Sequence, residues 1–313
     1  LTEARLISVF GPTGAGKTAV AIELARLLRR RGHDPVAVNC DSIQVYRGLE
    51  VLSGAADALG QSELEHRLLS FVPVDEEFSA GRYATLARSE IDRLLAEDRF
   101  PILVGGTGLY LRGALSEIEF PPPVPEEIRR EVERELQERG AAALHSELPE
   151  DRRSSIHPND RQRVARSTEL LRSGTRPAPD HRGGGELWTA HLRHPSALIG
   201  LALERKELLE RIAVRVEAMA VAGAGEEAAR AVRDGASRTA RAAIGFQEFL
   251  DGDLERASVR HRQFARRQMT WMRRMHGVNV IERCGRSDRD LAAEALSLSR
   301  LNGPGDASSA ASG

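Results

Sequence analysis

Residues 11–18 read Gly-Pro-Thr-Gly-Ala-Gly-Lys-Thr and satisfy the pattern GxxxxGK[ST] at every fixed position. The apolar run Leu6-Ile-Ser-Val-Phe10 stands directly before them, and apolar residues recur after them at Val20, Leu24 and Leu27, a helical spacing. Strand, glycine loop and helix form the context in which this motif has a mechanical meaning. The glycines let backbone N–H groups turn inward around phosphate oxygens, and the helix start adds partial positive charge. The Lys17 ammonium reaches the terminal phosphates, and the Thr18 hydroxyl suits Mg²⁺. The plain alternative is a tight turn between strand and helix that holds nothing.

The same alternation continues downstream. A second apolar run, residues 35–38, ends near Asp41; a third, residues 102–104, ends in Gly105-Gly106 after a helical stretch over 83–96. Alternating strands and helices predict an α/β fold, a P-loop NTPase-like core built on a parallel sheet. The segment Phe120-Pro-Pro-Pro-Val-Pro125 interrupts this pattern, and residues 126–171 are highly charged with helical periodicity, which predicts an inserted all-helical subdomain. Residues 174–186, rich in Gly and Pro, read as the return linker; 197–203 form another strand, and helices run on to about residue 275. The expected division is a core of 1–118 and 186–300, a helical insertion of 119–185, and a disordered Gly/Ser/Ala-rich tail of 301–313. No internal repeat is evident.

Composition narrows the function. With 313 residues, 41% of them apolar, the chain can bury a substantial core, and about 150 residues per domain suggests two domains. No stretch approaches the roughly 18 apolar residues of a membrane span, and no secretory apolar region opens the chain, so a soluble cytoplasmic protein is expected. Cys40 and Cys284 are the two cysteines, and no CxxC pair occurs, which argues against a disulfide framework and a cysteine zinc module.

The net charge of −1 hides a skew: of 45 basic residues only Lys17 and Lys206 are lysines. Arginine favours planar, bidentate anion recognition. Residues 256–274 hold seven Arg and no acid, interleaved with Phe264 and Trp271; residues 152–176 hold seven Arg against Asp160 and Glu169. These are either solvated helix faces or surfaces for a polyanion.

An ATPase would place a metal-binding Asp at the end of a central strand, but the third strand ends Leu-Val-Gly-Gly-Thr107. The acid stands instead at Asp41, after the second strand, where small-molecule P-loop kinases hold a base that orients the acceptor. An Asp followed by Ser42 at a strand end is equally a helix cap. On a helix beginning near Glu204 the apolar stripe is Leu208, Ile212, Val216 and Met219; Arg205 falls inside it, with Arg211 and Arg215 along its border. Inward arginines need an anion, supplied either by Glu204 or Glu207 or by a diphosphate in the loop.

Seven motifs in one order then resemble the tRNA dimethylallyltransferases, the isopentenyl-diphosphate:tRNA transferases. They are GPTGAGKT at 11–18, DSIQVYRG at 41–48, LVGGTGLY at 103–110, IHPNDRQRVAR at 156–166, RxxxxxRIxxRV at 205–216, AIGFQE at 243–248 and ARRQMTWMRR at 265–274. The resemblance implies transfer of a dimethylallyl group from dimethylallyl diphosphate to the N6 amine of the adenosine 3′-adjacent to the anticodon, releasing diphosphate. It implies Gly11, Pro12, Thr13, Gly14, Ala15, Gly16, Lys17, Thr18 and Arg211 as the diphosphate site, with Mg²⁺ on Thr18. Asp41 would be the general base, with Thr107, Lys17 and Arg211 as the other catalytic residues. The tRNA anticodon stem-loop would meet Asp41, Ser42, Ile43, Gln44, Thr107, Arg129, Gln162, Arg163, Val164, Ala165 and Arg166, with the helical insertion closing over it and the target base extruded. A monomer without membrane association and without the Cys/His zinc extension is implied, similar to the bacterial form.

There are departures. Ser53-Gly-Ala-Ala56 stands where the family usually has Gly-Thr-Ala-Lys, Glu65-His66 where a His-His pair is common, and Arg67-Leu-Leu-Ser70 where an aspartate is typical. They bear on affinity and rate more than on reaction class. Three other readings stand beside the resemblance: a small-molecule P-loop kinase, an adenine-nucleotide prenyltransferase, and a non-catalytic tRNA-binding P-loop protein or NTPase switch. The kinase leaves the arginine patches and the 162–166 motif without a purpose; the nucleotide prenyltransferase needs no anticodon-sized basic surface. The non-catalytic binder is disfavoured by the presence of both Asp41 and Lys17.

Overall fold

Strand β1 (Leu6–Phe10) is buried at all five residues, as a strand covered on both faces of a parallel sheet must be. The same holds for β2 (Pro35–Asn39) and for β4 (Phe100–Gly105), with the two-residue β3 (His66–Arg67) between them in sequence. β5 (Ser196–Ala202) is buried after its first residue, and β6 (Val278–Glu282) follows at one edge. The computed structural model describes residues 3–175 and 190–300. Within them the six strands form one sheet in the order β3-β2-β4-β1-β5-β6, and every pairing is parallel. Val9 of β1 pairs with Val104 of β4 and Ile199 of β5, so the end of β1, where the phosphate loop begins, lies at the centre of the sheet. That is the crevice at the carboxyl ends of the strands in which open α/β sheets bind ligands.

The chain divides into two compact units, one of Leu1–Glu117 with Ala190–Gly313 and the other of Ile118–Thr189. In the first, α1 (Lys17–Arg30) buries Val20, Ala21, Leu24, Ala25 and Leu28; its inward stripe passes through Leu28, not the expected Leu27. The short α2 (Glu50–Ser53) and α3 (Ala58–Glu63) lead to β3, and α4 (Ala80–Ala96), capped by the Ser79 hydroxyl, buries Tyr83, Ala84, Ala87, Ile91 and Leu94. Helix α5 (Gly108–Leu115) starts at the end of β4.

Among its described residues the second unit holds helices and no strand. No helix or strand forms over 117–125, and α6 (Glu126–Glu138) begins directly after Pro125. It is followed by α7 (Ala141–Ser146), α8 (Glu150–Ser155) and α9 (Arg161–Arg172), whose start is capped by Asp160 accepting the Arg163 N–H. Val132, Leu136, Leu144, Leu148, Ile156 and Val164 form its own small core. The expected return linker lies outside the described residues from 176 onward, as does the expected tail at 301–313.

Back in the first unit, α10 (Arg205–Val221) buries the expected Leu208, Ile212, Val216 and Met219. α11 (Ala224–Arg233), α12 (Arg238–Arg241), α13 (Phe246–Leu250) and the long α14 (Leu254–Arg274) follow. Strand β6 and α15 (Asp288–Leu298) were not foreseen: β6 has a single fully buried residue, Ile281, so its apolar pattern is weak. α15 packs Leu291, Ala292, Ala295 and Leu296 inward. Among the described residues, no helix is long and apolar enough to cross a membrane.

Candidate active site

The phosphate loop turns into α1 through Gly16, whose φ of 79° lies in the left-handed region that a side chain would strain. Lys17 follows, and its Nζ donates to the carbonyls of Gly11 and Pro12, each at 3.1 Å. Burial lowers the Lys17 ammonium to a pKa of about 8; Asp41 nearby opposes that shift and Arg215 adds to it. A cation held below its ordinary range, folded back on its own loop, is poised for an anion that would replace those carbonyls.

Two residues from far along the chain hold this loop, and the sequence motifs alone did not single them out. Gln268 of α14, buried, accepts the Thr13 N–H with Oε1 at 2.7 Å and donates Nε2 to the Gly106 carbonyl at 2.9 Å. It fits because residue 106 has no side chain: a Cβ there would meet the Gln268 amide at 2.1 Å. Arg283, also buried, donates to the Ala15 carbonyl at 3.2 Å and pairs with Asp288 at the start of α15. The available signal for Gln268 was its place inside the 265–274 motif; Arg283 had none. We expect Gln268→Ala to leave a buried donor and acceptor unpaired and to cost about 1–3 kcal/mol of stability. A fall in thermal midpoint checks this, and an unchanged midpoint contradicts it.

Asp41 stands two residues beyond the end of β2. Its Oδ1 accepts the Ile43 N–H at 3.0 Å, closing an Asx turn. The next helix starts only at Glu50, so Asp41 is not a helix cap. Thr107 fastens the neighbouring turn: its N–H donates to the Cys40 carbonyl at 3.2 Å, and its Oγ1 accepts the Ser42 N–H at 3.1 Å and donates to Ser42 Oγ at 3.4 Å. Cys40 itself is buried, and burial pushes its thiol up to about 12. The Tyr83 hydroxyl reaches its Sγ at 3.0 Å, and the Tyr83 ring stacks on Tyr110 at 3.9 Å. Cys40 is therefore an inert filler beneath Asp41.

The arginines of α10 separate. Arg205 is exposed rather than inward, because it is the first residue of the helix, one turn ahead of the first buried position. Arg211 is exposed and its Nε donates to Glu207 at 2.9 Å. Arg215 is the inward one: its Nη2 donates to the Ser53 carbonyl at 3.2 Å and its buried Nε has no hydrogen-bond partner among the described residues. Burial holds its guanidinium below the usual range, with Asp41 opposing.

These groups meet at one cavity of about 940 Å³. Thr13, Gly14, Gly16, Lys17 and Thr18 line it from the loop, and Asp41, Ile43 and Gln44 from the end of β2. Arg211 and Arg215 line it from α10, and His261, Phe264 and Gln268 from α14. Gly11, Pro12 and Ala15 are buried at the base of the loop, while Ser42 and Thr107 brace the cavity rather than line it. The departing segment Ser53-Gly-Ala-Ala56 is part of the wall, beside Leu52 and Leu59. No cluster of three or more His, Cys, Asp or Glu suited to a metal occurs among the described residues. Thr18 offers one hard oxygen, which fits Mg²⁺ when a diphosphate and water supply the remaining ligands.

The other predicted residues lie in the helical unit. Arg129 on α6 is half-buried, with Glu126 at 3.6 Å. On α9, Gln162 and Arg163 are exposed, Ala165 packs against the small core, and Val164 is fully buried within it, so its side chain seats the helix. Arg166 donates to Glu169 at 3.2 Å and to the Pro122 carbonyl at 3.0 Å. On α14, Arg262, Arg266, Arg267, Arg273 and Arg274 are exposed, and Arg267 covers the Phe264 ring at 5.5 Å. The patch is not free of acid in three dimensions, since Arg256 and Arg260 turn to buried Glu248 of α13 at 3.8 and 3.0 Å. Trp271 is half-buried with its ring against Gly108, where a Cβ would lie 2.4 Å from it.

The model of the IPP transferase family matches residues 44–275. A tRNA dimethylallyltransferase of Anaeromyxobacter dehalogenans (strain 2CP-C) is 40% identical over 291 residues, covering 88% of this chain and 93% of that protein. One from Streptomyces griseus is 39% identical, covering 86% of this chain and 88% of its own length. The crystal structure of the full-length tRNA isopentenylpyrophosphate transferase from Bacillus halodurans superposes with a TM-score of 0.66 at 26% identity, covering 95% of this chain and 97% of that one.

Proposed function

The chain belongs to the IPP transferase family, and from that premise we propose that it transfers a dimethylallyl group from dimethylallyl diphosphate to the N6 amine of the tRNA adenosine 3′-adjacent to the anticodon. The observation that carries this reading is the single cavity in which a phosphate loop with a depressed-pKa lysine faces a strand-end carboxylate and an inward arginine. A phosphate group and a nucleophile bearing a proton can be held there at once. The strand-end acid that nucleotide hydrolysis would use is absent at Gly105.

In this reaction the bond between the adenine N6 and the allylic carbon forms as the carbon–oxygen bond to diphosphate breaks. The amine is a weak nucleophile because its lone pair is delocalised into the ring, so alignment and proton removal are what the protein supplies. Asp41 Oδ1 is committed to the Ile43 N–H, and its Oδ2 takes the amine proton. Lys17, Thr13, the loop N–H groups and Arg215, with Arg211 at the rim, hold the charge that develops on the leaving diphosphate. Mg²⁺ on Thr18 would neutralise part of that charge when bound. The loop turned into α1 is built for oxygens of a diphosphate, whichever group that diphosphate carries.

The tRNA is proposed to meet Asp41, Ser42, Ile43, Gln44 and Thr107 in the first unit, and Arg129, Gln162, Arg163, Ala165 and Arg166 in the second, with Val164 supporting them from the core. The exposed arginines of α14 add phosphate contacts. The enzyme is proposed to act as a monomer in the cytoplasm. An anticodon stem-loop with adenosine at the target position is expected to accept a labelled prenyl group and one with guanosine there to accept none; equal labelling of both would refute the assignment. Arg163→Ala with Arg166→Ala is expected to weaken tRNA binding and to lower the slope of log Kd against log salt by about 1–2, because each arginine facing a phosphate releases roughly one counterion. An unchanged slope would remove these two residues from the RNA surface.

A further inference from the structure

β2 ends at Asn39, so the backbone of Asp41 has left the ladder and needs other partners. One side chain provides them. Asn39 is buried to 2% exposure, its Oδ1 accepts the Asp41 N–H at 3.0 Å, and its Nδ2 donates to the Asp41 carbonyl at 3.1 Å and to the Leu68 carbonyl at 3.0 Å. The amide thus grips both backbone groups of the proposed base and spends its remaining donor on the segment beyond β3. Leu68 and Ser70 hold left-handed backbone angles, φ 57° and 47°, and the Ser70 N–H donates to the Gln44 carbonyl at 2.8 Å. The 68–70 segment is therefore fastened on one side to Asn39 and on the other to Gln44, a cavity-lining residue.

We infer that Asn39 is a positioning residue for the transfer reaction: it fixes the peptide of Asp41 so that the carboxylate, already tied through Oδ1 to Ile43, presents its other oxygen in one orientation. The inference rests on the proposed role of Asp41. Two of the three hydrogen bonds of Asn39 go to Asp41, and the 68–70 segment keeps its separate tie to Gln44, so loss of the amide changes the rate of the chemical step far more than ground-state binding. Serine at this position keeps an acceptor for the Asp41 N–H through the same short turn, more weakly, and loses the reach to Leu68. Alanine keeps neither.

The test uses the full chain. Asn39→Ala is expected to lower kcat about tenfold to a hundredfold with KM for dimethylallyl diphosphate and for tRNA each within about twofold of wild type. Asn39→Ser should lie between alanine and wild type. Amide hydrogen exchange supplies a readout independent of turnover: in Asn39→Ala the Asp41 N–H loses protection while Ile102 and Leu103 in β4 keep theirs. A wild-type chain without transfer activity would count against the proposed function, and the exchange result would still decide whether Asn39 holds Asp41. Retained protection at Asp41, an unchanged kcat, or a loss of protection spread through β4 would overturn the inference.

Discussion

Replacing Asp41 with asparagine is expected to lower the rate of prenyl transfer by about 10²–10⁴-fold, the range that a positioned general base contributes. Asparagine keeps the size of the side chain and an oxygen for the Ile43 N–H, so the Asx turn survives. What it loses is the basic oxygen that would receive the amine proton. Binding of tRNA and of the diphosphate donor should stay close to wild type, since neither depends on removing that proton. Single-turnover rates beside separate binding measurements check the split. Transfer at the wild-type rate would show that another group takes the proton; loss of binding in parallel with rate would make tRNA contact, rather than proton removal, the main role of Asp41.

Lys17→Ala should be as severe and for a different reason. Removing a preorganised charge-stabilising donor costs about 10²–10³-fold in rate, and here the same group also binds the ground-state diphosphate. Both KM for the donor and kcat are therefore expected to suffer. The environment of Lys17 adds a pH signature. Burial places its pKa at about 8, and a bound anion favours the charged form. Below 8 the lysine is already protonated, so donor affinity should be level; as pH rises through 8 the charge is lost and affinity should fall. The alanine variant lacks the titrating group and should show no such limb. A wild-type affinity that stays flat from pH 7 to 9 would contradict this account of Lys17.

The phosphate loop and the strands at 6–10, 35–38, 102–104 and 197–203 were legible because a parallel sheet buried on both faces writes itself as continuous apolar runs. The helical unit was legible through Phe120-Pro-Pro-Pro-Val-Pro125, which no helix or strand can absorb. β6 escaped because an edge strand with one fully buried residue carries little pattern. Among the site residues, Asp41 stood out as an acid at a strand end, but the residues that hold it and the loop did not. Gln268 meets Thr13 across 255 positions and Arg283 meets Ala15 across 268, and no local pattern encodes such contacts. Helical periodicity assigned the inward arginine by angle alone and so favoured Arg205; the structure assigns it by where the covered part of α10 begins, and selects Arg215. Likewise Glu248 neutralises part of a stretch that is purely basic along the chain.

The most direct measurement is incubation of the purified chain with unmodified tRNA, Mg²⁺ and dimethylallyl diphosphate, followed by mass analysis of the nucleosides. The account predicts a five-carbon addition to adenosine, confined to the position 3′ of the anticodon and slowed at least about a hundredfold in Lys17→Ala. An unmodified nucleoside profile from a protein that binds the tRNA tightly would contradict it, and would identify the chain as a binder whose altered wall at 53–56 no longer supports transfer.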